Sequence, residues 1–283
     1  VLTLVASDLW LLAAAYGPDE NVAAELEWAS FQAQSRGASA EAAAGWRRAA
    51  ALSPGIDERV RRLVRAIEPA YQAGLTDEAI DILAEAEPLA TDLDDLFTIA
   101  FARFTLGVTT GAGAPRVADL LSLADRLGES PSPAHQRAET RLLAAAAAHC
   151  RFHGSPDGDR SAVAARLRAR DRPREPIVDI ALATICDLEE AQRFRGDAGR
   201  LHANVADDLT AVMSMGLAAE SVSDLETAQR CWTTAIGLAH DMGAPAIECE
   251  ALRGSARAHL VAGRPTEALI HAQTAVSYTH LTL

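Results

Sequence analysis

One two-helix pattern recurs at least four times along this chain. A first helical run ends near a Gly and a short polar turn comes after it; a second run then carries Ala, a central residue and Ala at offsets of four and three. The first copy has Gly37 in the turn, then Ala42, Trp46 and Ala49, and closes at Pro54. The second has Gly74, Ala79, Leu83 and Ala86. Two further copies lie near the C-terminus, one with Gly216, Ala228, Trp232 and Ala235, the other with Ala256, Gly263, Ala268, Ala272 and Ala275. A spacing of 40 residues separates Gly216 from Ala256, Ala228 from Ala268 and Ala235 from Ala275. Small residues let the two helices approach, Trp46, Leu83 and Trp232 fill the gap to the next pair, and Gly ends the first helix where a left-handed residue is needed. Each pair exposes an apolar face that a neighbouring pair covers, so a stack is expected rather than a globule.

The rest of the chain agrees with that reading. Hydrophobic residues make up 49% of it but aromatics only 5%, and the apolar content is mostly Ala and Leu, strong helix formers that leave little from which to build a sheet. The expected fold is all-α: a TPR-like helical-hairpin solenoid, a right-handed superhelix of roughly six to seven helix pairs. Residues 1–95 read as N-terminal repeats, 96–200 as weaker helical repeats with a linker near 154–176, and 201–275 as C-terminal repeats. In the middle stretch a helix pair is expected around the Gly111 to Pro115 turn, and a short helix is expected ahead of the linker. After Ala275 the composition changes abruptly to VSYTHLTL, so residues 276–283 read as translated sequencing adaptor into which a helix begun at Arg264 can run. The start at Val1 rather than Met reads as a cut from a longer chain.

Charge and residue usage narrow the function. A formal net charge of −13 and a pI near 5.0 argue against direct contact with nucleic acid, whose affinity rests on neutralising phosphates. All 26 basic residues are Arg. A P-loop of the form GxxxxGK[ST] and Schiff-base chemistry both need Lys, so neither belongs to this segment. Cys150, Cys186, Cys231 and Cys249 stand far apart without CxxC spacing and read as small buried thiols in a reducing cytoplasm. No run reaches the ~18–20 apolar residues of a bilayer span, and VLTLVASDLWLLAAAY lacks a basic n-region, so no membrane and a cytoplasmic location are expected.

Several clusters could carry chemistry, and each has a plainer reading. His149 and His153, with Cys150 beside them, share a helical face that could offer two metal ligands, but no third ligand stands at usable spacing. Arg166, Arg168, Arg170, Arg172 and Arg174 form the basic cluster of the chain; interleaved Asp171 and Glu175, then Pro176, favour a solvated linker over a phosphate or partner contact. Asp92, Asp94 and Asp95 sit between two helical runs, where acidic residues cap a helix N-terminus. Trp10, Trp28, Trp46 and Trp232 fall at apolar helix positions, with packing between repeats the default role and an aromatic ligand platform the alternative. No catalytic, cofactor-binding or metal-ligating residue is assigned in this segment.

Residues 9 to 90 resemble the helical region that follows the ATPase in LuxR-type large ATP-binding regulators, the MalT-like or LAL group. The resemblance rests on LWLLAAAYGPDENVA, with the GPDE turn at Gly17 to Glu20, then the RG turn at Arg36 and Gly37 leading into AEAAA, the LSP close at Leu52 to Pro54, and ERVRRLVRA from Glu58. One departure is Leu11 after Trp10, where many members have His. The resemblance implies a parent with an N-terminal STAND-type ATPase that binds ATP, this helical arm, and a C-terminal helix-turn-helix that binds DNA.

On that basis the segment is expected to be a non-catalytic sensory and coupling arm. It would bind a small-molecule inducer or a protein partner and relay the event to the flanking ATPase and DNA-binding domains. The alternatives are a TPR arm of an ATPase-linked signalling enzyme of cyclase or kinase type, and a free-standing TPR protein-interaction adaptor.

Overall fold

The structure, a computed structural model, describes residues 17–111, 113–169, 175–185 and 188–281. Trp10, Leu11, Arg170, Asp171, Arg172, Arg174 and Cys186 lie outside the described residues. Among the described residues the regular structure is helical, with fourteen α-helices and no strand, in agreement with composition and periodicity. Contacts divide the chain into two compact units, residues 1–102 and 103–283.

The first unit contains α1 (Glu20–Ser35), α2 (Ser39–Leu52), α3 (Ile56–Gln72) and α4 (Thr76–Ala86), each packed on the next, then a 3-10 turn at Glu87–Leu89 and the start of α5 (Leu93–Thr110). Helix α1 begins because the Asp19 carboxylate accepts from the backbone N–H groups of Asn21 (3.0 Å) and Val22 (3.3 Å). It buries Ala23, Leu26, Ser30 and Ala33, one stripe at spacings of three and four. Gly45 of α2 meets that stripe closely: a Cβ there would stand 2.2 Å from Ser30 Oγ. In α2 the buried side chains are the expected Ala42, Trp46 and Ala49, with Ser39, Ala43, Ala50 and Leu52. Ala79, Leu83 and Ala86 are likewise buried in α4.

The second unit contains the rest of α5 with α6 (Val117–Glu129), α7 (Pro133–Phe152), α8 (Asp157–Ala169), α9 (Pro176–Ile185), α10 (Leu188–Val205), α11 (Leu209–Ser221), α12 (Leu225–Asp241), α13 (Pro245–Val261) and α14 (Pro265–Leu281). Helices α7, α9, α11 and α13 form a layer in which α9 touches both α7 and α11, and α11 touches α13; α12 packs on α11 and α13, and α14 on α13. One apolar core runs from Ile180 and Phe194 through Leu201, Val212 and Met215 to Trp232 and Ala258. That continuity joins the stretches 96–200 and 201–275, which the repeat pattern alone separates.

The short helix expected within this stretch is α8, whose Val163 and Leu167 are buried, so the linker reading of 154–176 is corrected over Asp157–Ala169. Arg166 sits on that helix and forks onto Asp125 of α6 at 2.8 and 2.9 Å, while Arg168 pairs with Glu190 of α10 at 3.7 Å. These two arginines are therefore helix-borne ion-pair partners and not part of a solvated linker. The expected run of the last helix into the tail is seen, since α14 continues to Leu281.

The turns between paired helices repeat one hydrogen-bond scheme. After α1, Gly37 N–H donates to Gln34 O and Ala38 N–H to Ala33 O, and Gly37 holds φ +76°. Gly74 with Leu75 and Gly263 with Arg264 repeat this after α3 and α13, at φ +79° and +72°. These are the left-handed C-terminal caps that the recurring glycines predict. After α11 the same scheme is built on Ser223, which holds φ +60° although it is not Gly.

Candidate functional site

Two polar clusters organise the described residues, one in each unit. In the first, Arg62 of α3 is 1% exposed and all three nitrogens of its guanidinium are hydrogen-bonded. It forks onto Glu20 at the start of α1 (Nη2–Oε1 2.6 Å, Nη1–Oε2 3.0 Å), donates from Nε to Glu27 Oε2 at 2.9 Å, and donates from Nη1 to Ser53 Oγ at 2.6 Å. Arg61 forks onto the same Glu27 carboxylate at 2.7 and 2.9 Å. A planar guanidinium suits this role because its rigid fork matches two carboxylate oxygens. The Arg61 hydrogen bond, reinforced by Arg62 and opposed by burial, holds the Glu27 carboxyl down to about 2. Glu20 is lowered too, chiefly by its hydrogen bond to Arg62. The cluster ties the start of α1, the end of α2 and the middle of α3 together. Its parts come from GPDE (Glu20), LSP (Ser53) and ERVRRL (Arg61 and Arg62), three separate segments of the motif set.

In the second unit the joint is Trp232 of α12. Its ring is held between Gly216 of α11 and Gly254 of α13, where added Cβ atoms would stand 2.9 and 2.7 Å from the indole. Its Nε1 donates to Glu220 Oε1 at 2.8 Å, and Arg257 of α13 reaches the same carboxylate at 2.7 and 3.2 Å. The Arg257 guanidinium also lies 6.0 Å from the indole centroid. A single carboxylate thus couples a buried aromatic to the following hairpin.

The other clusters occupy separate places. His149 and His153 stack at the end of α7 with ring centroids 4.3 Å apart, and burial followed by the His153 charge lowers the His149 pKa. Among the described residues no group of three or more His, Cys, Asp or Glu is placed to hold a metal ion. Cys150 and Cys231 are buried and Cys249 partly so; all three are free thiols, and burial pushes each of them up, Cys231 to about 12. Asp92 does what a helix-starting acid does, accepting from Asp94 N–H at 2.8 Å at the start of α5. Beside it, burial, then the charges of Asp92 and Asp94, raise the Asp95 pKa.

Trp46 and Trp232 are packed between helices as expected, each 4% exposed. Trp28 is not: it is 54% exposed, and Phe31 beside it 60%. The buried stripe of α1 runs through Leu26 and Ser30, which turns residues 28 and 31 away from α2. Inter-repeat packing is therefore corrected for Trp28. Among the described residues no helix is long and apolar enough to cross a membrane.

Sequence reasoning misses both polar clusters as clusters. The available signal is a few charged or hydroxyl residues at the ends of consecutive runs, which have no reason to meet until the hairpins stack. No family model and no curated protein matches the chain.

Proposed function

We propose that this chain is the non-catalytic sensory and coupling arm of an ATP-dependent LuxR-type transcriptional regulator. It belongs to a TPR-like stack of helical hairpins in the cytoplasm, where it binds a small-molecule inducer or a protein partner. The binding event biases the release of the parent's ATPase and DNA-binding domains through a coupling free energy between sites. What supports this reading above the alternatives is the Arg62 cluster. The GPDE, LSP and ERVRRL segments that carry the resemblance each supply a member of one polar network around the buried Arg62. Segments that resemble a family in order and spacing, and that also meet in space, are the expected mark of a shared arm rather than of a chance run of Ala and Arg.

The test is to sequence the source locus through both ends of this chain. The reading requires a Walker-type ATPase upstream and a helix-turn-helix downstream. A catalytic cyclase or kinase domain in place of the helix-turn-helix, or an open reading frame with neither neighbour, overturns it in favour of the signalling-enzyme or adaptor reading.

A further inference from the structure

All eight histidines of the chain stand at position 135 or beyond, so the first unit, residues 1–102, has none. Four of them meet in two ring pairs. His149 and His153 stack near the end of α7 with centroids 4.3 Å apart, and His259 of α13 meets His271 of α14 edge to face at 5.1 Å. In each pair one ring has a nitrogen that no acceptor reaches: Nδ1 of His149 and Nδ1 of His259 are buried without a hydrogen-bond partner among the described residues. A neutral imidazole tolerates this, because the bare nitrogen can be the buried one while the proton sits on Nε2. An imidazolium carries N–H on both nitrogens, so charging either ring puts a donor where nothing accepts it. The second imidazole of each pair supplies no countercharge.

We propose that these two pairs make the second unit an acid-responsive element whose effector is the proton: protonation of His149 and His259 loosens the end of α7 and the joint of α13 with α14, while the first unit stays closed. Among the described residues, the charged groups that act on His149 are His153 on its own helix and Asp159 of α8; on His259 they are His271 and Glu267 of α14 and Arg264 in the turn before it. Asp159 and Glu267 favour the charged ring, but burial outweighs them and holds both rings below the ordinary 6.5. A histidine lowered on folding stays neutral in the folded chain while the unfolded chain takes up its proton. Stability is therefore whole above about 6.5 and falls as pH drops below it. His202 of α10, lowered by burial and then by Arg230 of α12, adds in the same direction. The first unit has no such response. Glu20 and Glu27 are lowered and stay ionised in mild acid. Asp95, raised by burial, binds its proton first in the folded chain and so gains stability as pH falls.

The experiment reads amide hydrogen exchange of the full chain at pH about 7.5 and about 5.5, expressed as protection factors so that the intrinsic pH dependence of exchange drops out. A ring kept neutral weakens the fold by at most about tenfold at the lower pH, since an unfolded ring at 6.5 is then about ten to one protonated. Protection in α7 and α13 is expected to fall by roughly thirtyfold, and that in α2 and α3 by less than about threefold. His149→Gln combined with His259→Gln should cut the fall in the second unit to about threefold or less, the share left to His202. In the unsubstituted chain, where folding of a variant is not at issue, the ring signals of His149 and His259 followed by NMR should titrate below 6.5. An equal loss of protection in both units, a double variant as acid-sensitive as the unsubstituted chain, or rings that titrate at 6.5 or above each overturns the proposal.

Discussion

The Trp232 indole lies so close over the backbone of Gly254 that a methyl group there would stand 2.7 Å from its Cδ2 and Cε2 atoms. Gly216 closes on the same ring from the other side at 2.9 Å. The tryptophan is thus a plate clamped between helices α11 and α13, and the clamp works only because both jaws lack a side chain.

Substituting Gly254→Ala or Gly216→Ala should destabilise the second unit by about 1–3 kcal/mol, the usual cost of overpacking, since the ring is 4% exposed and has nowhere to move. Gly237→Ala is the control. It lies on the same helix as the tryptophan, with nothing within 4 Å of an added Cβ, and should stabilise by about 0.5–1 kcal/mol through helix propensity alone. Thermal or urea unfolding of the three variants distinguishes a clamp from a loosely packed joint, for which all three would shift the same way.

The Ser223 turn gives a prediction of the opposite sign. Ser223 holds φ +60°, in the slot that Gly263 occupies one repeat later at +72°. A residue with a Cβ costs about 1–2 kcal/mol in that region, so Ser223→Gly should recover on the order of 1 kcal/mol. Gly263→Ser should lose a similar amount. If Ser223→Gly proves neutral, the gain of backbone freedom in the unfolded chain has offset the relief of the turn.

How far sequence carries the fold is visible at these same residues. The caps at Gly37, Gly74 and Gly263 can be read directly, because few residues other than Gly adopt positive φ and their spacing repeats. Ser223 cannot, because a Ser in the slot that Gly fills elsewhere leaves no compositional trace. The burial of Ala42, Trp46, Ala49, Ala228, Trp232 and Ala235 follows from the period. Trp28 breaks the rule because a large apolar residue is packed only if it shares the stripe of α1 that contains Leu26 and Ser30, and it does not. The extent of helix α8 is hidden because its arginines look like linker charges until tertiary contacts bring Asp125 and Glu190 opposite them. The Arg62 cluster is least legible. Its members are 42, 35 and 9 residues away from Arg62 along the chain.

That cluster makes an electrostatic prediction. Replacing Arg62→Leu removes a guanidinium that is 1% exposed and leaves Glu20 and Ser53 without it, whereas Glu27 retains Arg61. A loss of about 1.5–3 kcal/mol is expected in the first unit, the range for hydrogen bonds to a charged group, because the half-exposed Glu20 carboxylate hydrates once the guanidinium is gone. Acid should expose the same network. Glu27 titrates at about 2 when folded against an ordinary 4.5, so the stability it contributes is whole above 4.5 and is lost as pH falls through 2. The Arg62→Leu chain should show a shallower acid dependence across that window. Equal slopes in both chains would mean that Arg61 alone holds the carboxyl down.

The buried thiol of Cys231 tests the second core at the other end of the pH scale. It is 0% exposed within the cluster that includes Trp232 and Met215, and burial pushes it up to about 12 from an ordinary 9.0. An acid with a raised folded pKa stays protonated in the core while the unfolded chain ionises it. Stability is therefore intact below about 9 and declines as pH rises toward 12. Two results are expected. Cys231 should resist a thiol reagent at neutral pH until the unit opens, at a rate that follows hydrogen exchange of α12, whereas partly exposed Cys249 reacts first. Cys231→Ala should also flatten the alkaline fall in stability, even though the smaller side chain lowers stability at neutral pH. Rapid labelling of Cys231 in the folded chain would mean that α11, α12 and α13 open around Trp232 far more readily than a joint clamped by two glycines and tied by Glu220 should allow.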